Sequence, residues 1–342
     1  MASQNHTQYV LAERPKEHVL ATTFRKETVP TPQPGEKQVL VKVNYLSMEP
    51  AMRGWLNDRR SYIPPVQIGE VMRAGGLGTV VAAGPNSKFK TGDIVTGLLG
   101  WTEFALLDDK GLSTIDVPPR AELLDFLGIL GTTGLTAYFG LLDVGQIKPG
   151  ETLVVSGAAG AVGSIVCQIG KIKGAKVVGI AGGDDKCTWL KNEIGIDVAL
   201  NYKSETFHEE FKKDVGYFDV YFDNVGGEIL NFLLTRMNKK ARIALCGAIS
   251  DYNKPVPDGL TSYLNLISMS AKMEGFIVLN YKDQWPAGVA ELANWIADGK
   301  LKRRFTIVHG LEKAYDAMNM LFTGGNTGKL IVQVAQHEQS RL

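Results

Sequence analysis

The chain has 342 residues, more than one ordinary hydrophobic core holds, which predicts two domains. Hydrophobic residues make up 44% and charged residues 21%, and 37 Lys and Arg against 36 Asp and Glu argue against nucleic-acid and anionic-membrane partners. The three cysteines, Cys167, Cys187 and Cys246, favour a reducing compartment over a disulfide framework, and no apolar run is long enough to cross a bilayer.

The first third of the chain consists mostly of short predicted strands. Residues 39–45 alternate apolar and polar side chains, as a half-exposed strand does, and residues 78–83 and 93–96 are further strands between Gly and Pro turns. The Pro-rich residues 29–35 and the Gly-rich residues 69–78 are predicted to be loops. Such a run of short strands predicts a partly open barrel.

The middle of the chain alternates between strands and helices. A helix is predicted over residues 123–138, and the strands that follow are predicted at residues 152–156, 176–181, 198–201, 218–223 and 241–246. Alternation of this kind is typical of a doubly wound parallel sheet.

Residues 151–180, ETLVVSGAAGAVGSIVCQIGKIKGAKVVGI, predict a βαβ unit that binds a nucleotide. A buried strand runs into a turn of residues with small side chains, and a helical pattern and a second apolar strand follow. A pyrophosphate can sit on the helix N-terminus only where the backbone comes close to it, so small residues are needed there. The spacing Ala158-x-Gly160-x-x-Gly163 has alanine where the usual first glycine stands, yet its strand–turn–helix context predicts a Rossmann unit.

The last part of the chain returns to the first domain. Residues 272–279 are predicted to form a strand at the sheet edge, residues 285–298 and 311–322 helices, and residues 329–334 a strand that rejoins the N-terminal barrel. The final residues, Ser340-Arg341-Leu342, are a conservative variant of the S-K-L peroxisomal address, so we expect either a cytoplasmic or a peroxisomal protein.

Six separated motifs resemble those of one enzyme family. They are LSMEPAMRG at 46–54, GTTGLTAY at 131–138, the turn at 157–163, DNVGG at 223–227, CGAISDYN at 246–253 and GNTGK at 325–329. In this order they are similar to the zinc-independent branch of the medium-chain dehydrogenase/reductase superfamily, which contains the prostaglandin and leukotriene B4 reductases and the plant alkenal double-bond reductases. The resemblance implies a GroES-like barrel domain at 1–125 and 300–342, a Rossmann NADP-binding domain at 126–299, and a homodimer formed through the strand near Phe276.

A metal is not expected. A catalytic zinc site takes about three N or S ligands and a structural one usually four cysteines, but the N-terminal domain has no cysteine. The superfamily's zinc enzymes carry Gly-His-Glu where this chain has Ile68-Gly69-Glu70, and its five histidines are scattered.

The end of the second Rossmann strand indicates the cofactor. NAD sites place a carboxylate there, whereas this chain has Ala181-Gly182-Gly183, which leaves room for a phosphate. The resemblance implies that Lys186 and Tyr202 bind the 2′-phosphate of NADPH. We expect Asp184 and Asp185 to point away and to cap the helix that begins near Lys186.

The predicted NADPH contacts extend along the whole Rossmann domain and include one residue of the C-terminal segment. They are Gly157, Ala158, Ala159, Gly160, Ala161, Val162, Gly163, Gly182, Lys186, Tyr202, Asn224, Cys246, Gly247, Ala248, Ile249, Phe276, Ile277, Val278 and Asn326. Cys246 is interpreted as a small hydrophobic residue rather than a nucleophile.

Without a metal, the enzyme must stabilise an enolate by hydrogen bonding. Tyr252 matches the family's tyrosine beside the nicotinamide, so the resemblance implies that its hydroxyl binds the enolate oxygen or relays a proton. We therefore expect NADPH-dependent reduction of the C=C bond of enals and enones, with hydride transfer to the β-carbon. Quinone or carbonyl reduction on the same fold is the alternative, followed by a non-catalytic NADPH-binding scaffold.

One residue departs from the family pattern. Mammalian and plant members often read Asp-Pro-Tyr-Met-Arg where this chain has Glu49-Pro50-Ala51-Met52-Arg53. The missing tyrosine lies by the substrate cleft in the family, so a wider pocket and a different substrate are expected. The candidate pocket aromatics are Trp55, Tyr62, Tyr263, Tyr281 and Trp285.

Overall fold

The structure, a computed structural model, describes residues 4–335 and divides into two compact units. The β-rich unit comprises Met1–Val117 and Phe305–Leu342, and the Rossmann unit comprises Pro118–Arg304. The chain thus changes unit after Val117 and after Arg304, compared with predicted boundaries after residues 125 and 299. The predicted peroxisomal address, Ser340-Arg341-Leu342, lies outside the described residues.

From residue 4 onward, the first segment of the β-rich unit contains seven strands and one short α-helix. They are β1 (Asn5–Leu11), β2 (Phe24–Pro30), β3 (Gln38–Ser47), α1 (Ala51–Trp55), β4 (Gly75–Ala83), β5 (Ile94–Leu98), β6 (Phe104–Asp108) and β7 (Leu112–Thr114).

The Rossmann unit alternates strands and helices. Its elements are α2 (Thr132–Phe139), β8 (Thr152–Ser156), α3 (Ala161–Ile172), β9 (Lys176–Ala181), α4 (Asp184–Trp189), β10 (Val198–Asn201), α5 (Phe207–Asp214), β11 (Phe218–Asp223), α6 (Gly227–Leu233), β12 (Met237–Leu245), α7 (Asn265–Ser268), β13 (Lys272–Gly275) and α8 (Trp285–Ala297). The second segment of the β-rich unit adds β14 (Phe305–His309), α9 (Ala314–Thr323) and β15 (Lys329–Gln333). Among the described helices, none combines the length and the apolar character that crossing a bilayer requires.

The β-rich unit contains a largely antiparallel sheet. Its strands run in the order β14-β15-β3-β4-β5-β7, with β6 also paired to β3, while β1 and β2 form a separate antiparallel pair. β15 pairs antiparallel with β3, with Ile331 opposite Ser47, which confirms the predicted return of the last strand to the N-terminal sheet. A core that includes Trp101 and Met52 fills this unit.

The Rossmann unit contains a six-stranded parallel sheet in the order β10-β9-β8-β11-β12-β13. The predicted strands at 152–156, 176–181, 198–201 and 218–223 coincide with β8, β9, β10 and β11, and β13 is the predicted edge strand. Strand order reverses between β8 and β11, so a crevice opens at the carboxyl ends of these two strands, where ligands bind in such folds. The predicted fold class is therefore confirmed.

Two predicted elements have different bounds. The helix at 123–138 is interrupted: the short 3₁₀ turn Leu123–Leu127 ends at Gly128, whose φ of −118° and ψ of −109° are not helical, and α2 begins only at Thr132. The strand at 272–279 stops at Gly275 and leads into the 3₁₀ turn Val278–Gln284.

Some predicted loops contain strands. β2 extends to Pro30, inside the Pro-rich stretch, and β4 begins at Gly75, inside the Gly-rich stretch. Proline and glycine lowered the strand signal there, but pairing with β1 and β5 supplies the hydrogen bonds that fix the backbone.

Candidate active site

The turn between β8 and α3 is shaped to admit a phosphate. Gly157 has φ of +57°, Gly160 precedes the first helical residue, and a Cβ on Gly163 would lie 2.3 Å from the Gly157 carbonyl oxygen. No side chain caps α3, so the N–H groups of its first turn, Ala161 to Gly163, face the end of the turn without a capping oxygen. These residues fit a cofactor pyrophosphate at the helix N-terminus.

Gly182 and Tyr202 lie side by side after β9 and β10. The two strands are parallel neighbours, and the Tyr202 N–H donates to the Ala181 carbonyl at 3.1 Å. The Tyr202 ring comes within 2.7 Å of the position that a Cβ on Gly182 would occupy, and 44% of this residue is exposed. The ring is thus held at the end of β9 with one side open to solvent.

Lys186 lies in the first turns of α4, half-buried, and burial lowers its pKa, opposed by Asp185 and assisted by Lys203. The expected cap by Asp184 and Asp185 is wrong. α4 begins at Asp184, and Gly183, with φ of +158°, occupies the capping position without any side-chain cap. Both carboxylates lie in the first turn, where the helix dipole favours them, and Asp184 Oδ1 accepts from the Asn201 side-chain amide at 2.8 Å.

Asn224 lies at the switch point between β8 and β11. Its backbone N–H donates to Ser156 Oγ at 2.9 Å, and its side-chain Nδ2 donates to the Ser156 carbonyl oxygen at 2.7 Å. The predicted cofactor contact at Asn224 is therefore fixed directly to the strand that leads into the phosphate turn.

The segment after β12 packs along the segment after β11. The N–H groups of Cys246 and Gly247 donate to the Asp223 carbonyl oxygen at 2.9 and 3.1 Å. The Ala248 N–H donates to the Tyr252 hydroxyl oxygen at 3.2 Å, which places this half-buried hydroxyl against the predicted nicotinamide wall.

A cavity of about 550 Å³ in the Rossmann unit brings together several of the predicted residues. It is lined by Cys246, Gly247, Ala248, Tyr252, Phe276 and Ile277 from the prediction. It is also lined by residues outside the predicted contacts, the first four of which lie in the matched motifs at 223–227 and 246–253: Asp223, Gly226, Gly227, Asp251, Leu230, Leu245, Asp258, Leu260, Gly275 and Asn280. Ile249 lies beside it, with its N–H on the Asn224 carbonyl at 3.3 Å, and the Val278 carbonyl accepts from Trp285 Nε1 at 3.1 Å.

The surroundings of Cys246 disfavour its thiolate form. Burial, and after it the Asp223 carboxyl, raise the pKa of the Cys246 thiol to about 12, so the thiol is neutral at physiological pH. Its interpretation as a small hydrophobic residue agrees with this environment.

The remaining candidates have other partners. Asn326 belongs to the β-rich unit, where its Nδ2 donates to the Gly328 carbonyl at 3.0 Å. In the same unit Trp55 Nε1 donates to the Tyr62 hydroxyl at 2.9 Å. Tyr281 stacks on Phe139 in the Rossmann unit and its hydroxyl donates to Asp143 at 2.7 Å, so it packs rather than lines the cavity.

Metal ligands are sparse in the part of the chain that the structure describes. Residues 4–335 contain no group of three or more His, Cys, Asp or Glu side chains that could hold a metal ion.

Two family profiles together cover most of the chain. Residues 7–115 match the N-terminal domain of oxidoreductases, and residues 161–295 match a family described as zinc-binding dehydrogenase. The zinc in this description does not carry over, because the chain has no cysteine before Cys167 and no histidine beside Gly69 and Glu70.

Similar proteins are reductases. The NADPH-dependent curcumin reductase of Escherichia coli is 38% identical over 97% of this chain and 98% of its own length. Prostaglandin reductase 1 of Rattus norvegicus is 41% identical over 91% of this chain and 94% of its own length. The crystal structure of CurA from Vibrio vulnificus in complex with NADPH superposes with a TM-score of 0.91 at 40% identity, covering 97% of this chain and all of that one. The chain therefore belongs to the zinc-independent medium-chain dehydrogenase/reductase family and is an NADP-dependent oxidoreductase.

Proposed function

We propose that the enzyme uses NADPH to reduce the C=C bond of α,β-unsaturated aldehydes and ketones. The observation that carries this proposal is the Tyr252 hydroxyl, which accepts a hydrogen bond from the Ala248 N–H in a cavity lined by both apolar side chains and carboxylates. The names of two relatives, a curcumin reductase and a prostaglandin reductase, support this substrate class, since curcumin contains a conjugated enone.

Tyr252 is the proposed catalytic residue. NADPH, when bound, would supply the hydride for the β-carbon of the substrate. A hydroxyl that accepts a hydrogen bond donates its own proton more strongly, so the Ala248 N–H both orients the Tyr252 hydroxyl and strengthens it as a donor. We propose that this hydroxyl stabilises the negative charge on the enolate oxygen, and that it or a water returns a proton to the α-carbon.

The walls of the cavity suit a conjugated substrate. Leu230, Leu245, Leu260 and Phe276 present carbon surface that suits an extended apolar molecule, while Asp223, Asp251 and Asp258 give the cavity an acidic side. No basic side chain is among the lining residues of this cavity, so a carboxylate at this position would gain no ion pair.

The NADPH contacts are proposed as the sequence predicts them. The pyrophosphate would lie on the turn before α3, the 2′-phosphate against Tyr202 and Lys186, and the nicotinamide along Cys246 to Ile249 and Phe276 to Val278. Asn326 of the β-rich unit is proposed to contact the nicotinamide ribose or amide. Gly182 supports the 2′-phosphate position, because it places no carboxylate at the end of β9 and lets the Tyr202 ring lie against the backbone there.

The test is oxidation of NADPH with a panel of enals, enones, quinones and saturated aldehydes, with identification of each product. Saturated carbonyl products from enones support the proposal, whereas only alcohols or hydroquinones would establish the carbonyl or quinone reductase. The Tyr252→Phe variant should lower kcat about 10²-fold, which is at the lower end of the losses expected when one catalytic hydrogen-bonding group is removed. Tyr217→Phe is the matched control, because Tyr217 lies just before β11 at the opposite end of the sheet, with its ring on the Arg236 guanidinium.

We also propose a homodimer formed through the edge strand β13. β13 has β12 as its sheet neighbour and ends the strand order, and the segment just before it exposes Val256, Tyr263, Leu264 and Ile267. A two-fold axis beside the open edge strand β13 pairs this strand with the same strand of a second protomer. Light scattering should give twice the chain mass of 37.2 kDa for the wild type and the monomer mass for Ile267→Lys. Leu98→Lys, at an exposed apolar position of the β-rich unit, should leave the mass unchanged.

A further inference from the structure

Asp223, the last residue of β11, is a buried carboxylate whose two oxygens are used unequally. Its Oδ1 accepts four hydrogen bonds, from Ser156 Oγ at 2.8 Å, the Tyr221 hydroxyl at 2.6 Å, and the N–H groups of Val225 and Gly226 at 2.9 and 3.0 Å. Its Oδ2 has no hydrogen-bond partner within residues 4–335, and no cation of that range forms an ion pair with it.

Such a group reduces the stability of the fold. Burial raises the pKa of the Asp223 carboxyl, which means that the surroundings disfavour its charge despite the four donors. An unpaired buried acceptor is rare in native proteins and calls for a reason other than stability. Local costs of this kind are characteristic of functional sites.

Three of the four donors to Asp223 come from two segments that the proposed site needs, and the fourth, Tyr221, belongs to β11 itself. Ser156 ends β8 and directly precedes the phosphate turn, while Val225 and Gly226 belong to the turn that follows β11. Gly226 has φ of +72°, and the Asp223 carboxylate holds its N–H in this conformation. The side chain therefore fixes the phosphate turn and the turn after β11 to each other.

The backbone carbonyls of residues 223–225 also bind the segment that leads to Tyr252. The carbonyl oxygens of Asp223 and Asn224 accept from Cys246, Gly247 and Ile249. The Val225 carbonyl oxygen accepts hydrogen bonds from both the N–H and the hydroxyl of Ser250, at 3.1 and 2.7 Å. This segment includes Ala248, whose N–H donates to the Tyr252 hydroxyl.

We propose that Asp223 is a positioning residue, whose carboxylate sets the phosphate turn and the 246–250 segment in register so that NADPH and the Tyr252 hydroxyl are held together. Asp223 also lines the cavity, but its Oδ1 acts on both through the two backbone segments that it joins. The expected effect on NADPH binding requires only that NADPH is the cofactor, whereas the expected effect on the Tyr252 hydroxyl rests on the proposed function. The two can therefore be tested separately.

The first test compares two Asp→Asn variants on one strand. Asp223→Asn keeps an acceptor at Oδ1 but removes the charge that strengthens its four hydrogen bonds. Asp219→Asn is the matched control, because Asp219 also bridges β8 and β11, accepting the Thr152 N–H at 2.9 Å, but does so at the amino end of the strands. Cofactor affinity is measured from NADPH fluorescence, and folding from circular dichroism, at a temperature where both variants remain folded.

Asp223→Asn should raise the Kd for NADPH about tenfold, while Asp219→Asn should keep it within about twofold of the wild type at a similar loss of Tm. Equal Kd values for NADPH in the two variants would overturn the proposal. So would a Kd for each variant that rises only in proportion to the loss of Tm in that variant. If Asp223→Asn does not fold, Ser156→Ala serves in its place, because it removes one donor to Oδ1 and the acceptor of the Asn224 N–H. The same rise in Kd is expected, and an unchanged Kd overturns the proposal.

The second test combines Asp223→Asn with Tyr252→Phe and measures kcat at saturating NADPH and enone. If Asp223 positions the Tyr252 hydroxyl, the double variant loses less than the product of the two single losses. Multiplicative losses would restrict the role of Asp223 to the cofactor. If Tyr252→Phe leaves kcat unchanged, the proposed function fails, and the Kd comparison still decides the role of Asp223 toward NADPH.

Discussion

The Tyr202 ring lies against Gly182, with its Cε1 2.7 Å from the position that a Cβ at residue 182 would occupy. The contact joins the ends of two neighbouring parallel strands, since Gly182 follows β9 and Tyr202 follows β10. Gly182 thus has two consequences: it leaves no carboxylate at the end of β9, and it lets an aromatic ring cover the backbone there. Both favour a cofactor with a phosphate at this position.

Gly182→Asp should reverse the cofactor preference. The new carboxylate would displace the Tyr202 ring and repel a 2′-phosphate, so we expect kcat/KM with NADPH to fall at least about 10²-fold while that with NADH falls less. Steady-state kinetics with both cofactors measure this. Gly182→Ala is the control, because it displaces the ring without adding charge, and an equal effect of the two variants would attribute the preference to Tyr202 alone.

Lys186→Met should weaken NADPH binding and spare NADH binding. We expect an increase of about tenfold in the KM for NADPH, as for the loss of one charge-assisted hydrogen bond. Because burial lowers the pKa of Lys186, NADPH affinity should decline with rising pH at a lower pH than for an ordinary lysine, and this decline should disappear in the variant. Lys191→Met, at an exposed position in the continuation of α4, is the control and should match the wild type.

Gly163→Ala should abolish tight NADPH binding and destabilise the Rossmann unit. Its Cβ would lie 2.3 Å from the Gly157 oxygen and 2.8 Å from Ala158 Cα, and because both are backbone atoms, α3 must move away from the turn. We expect a loss of about 2 kcal/mol in the free energy of unfolding, as for other overpacked sites, and at least about a tenfold higher Kd.

Gly170→Ala separates these two effects. Gly170 lies on the same helix, but its Cβ would meet the side chains of Leu153 and Val177, at 2.5 and 3.0 Å. Thermal denaturation should therefore show destabilisation while fluorescence titration gives an NADPH affinity near that of the wild type. A matching loss of affinity in Gly170→Ala would mean that general destabilisation, and not the shape of the turn, weakens NADPH binding.

The sequence predicted the elements whose structure is set by residues close together in the chain. β8, the turn and α3 follow from local apolar periodicity and small residues, and the structure has them at the expected positions. The helix predicted at 123–138 is interrupted at Gly128, whose φ of −118° and ψ of −109° lie outside the helical region, a backbone conformation that a helical pattern does not reveal. Similarly, Asp184 looked like a cap, but Gly183 takes that position with a backbone conformation that suits glycine.

Asp223 was missed for a related physical reason. An aspartate at the end of a strand ordinarily reads as the start of a polar loop, and the partner that makes it special, Ser156, is 67 residues away. The DNVGG motif at 223–227 drew attention to the segment but not to the buried carboxylate within it. Long-range hydrogen bonds of this kind are set by strand order, which becomes visible only in the assembled sheet.

Cys246 should resist alkylation. With a pKa of about 12, its thiolate fraction at pH 8 is about 10⁻⁴, so iodoacetamide should label it at least about a thousandfold more slowly than a free thiol such as glutathione. Turnover should accordingly survive the reagent, and peptide mass spectrometry should find Cys246 unmodified. Rapid inactivation that coincides with a single adduct on Cys246 would contradict this.

Arg242→Met should destabilise the Rossmann unit without affecting its ligands. Arg242 donates to both carboxylate oxygens of Glu151, at 3.0 and 2.6 Å, and to the carbonyl oxygens of Gly145 and Gln146, at 3.0 and 2.8 Å. Hydrogen bonds to charged groups contribute about 1.5–3 kcal/mol, so we expect a loss of about 2–3 kcal/mol in the free energy of unfolding. Because Glu151 precedes β8 at the end of the sheet opposite the phosphate turn, the Kd for NADPH should stay unchanged. Lys300→Met is the control, since its ion pair with Asp298 is exposed to solvent after α8 and should contribute less than about 1 kcal/mol. Denaturant titrations that show equal losses for the two variants would mean that the Arg242 network is no stronger than a surface ion pair.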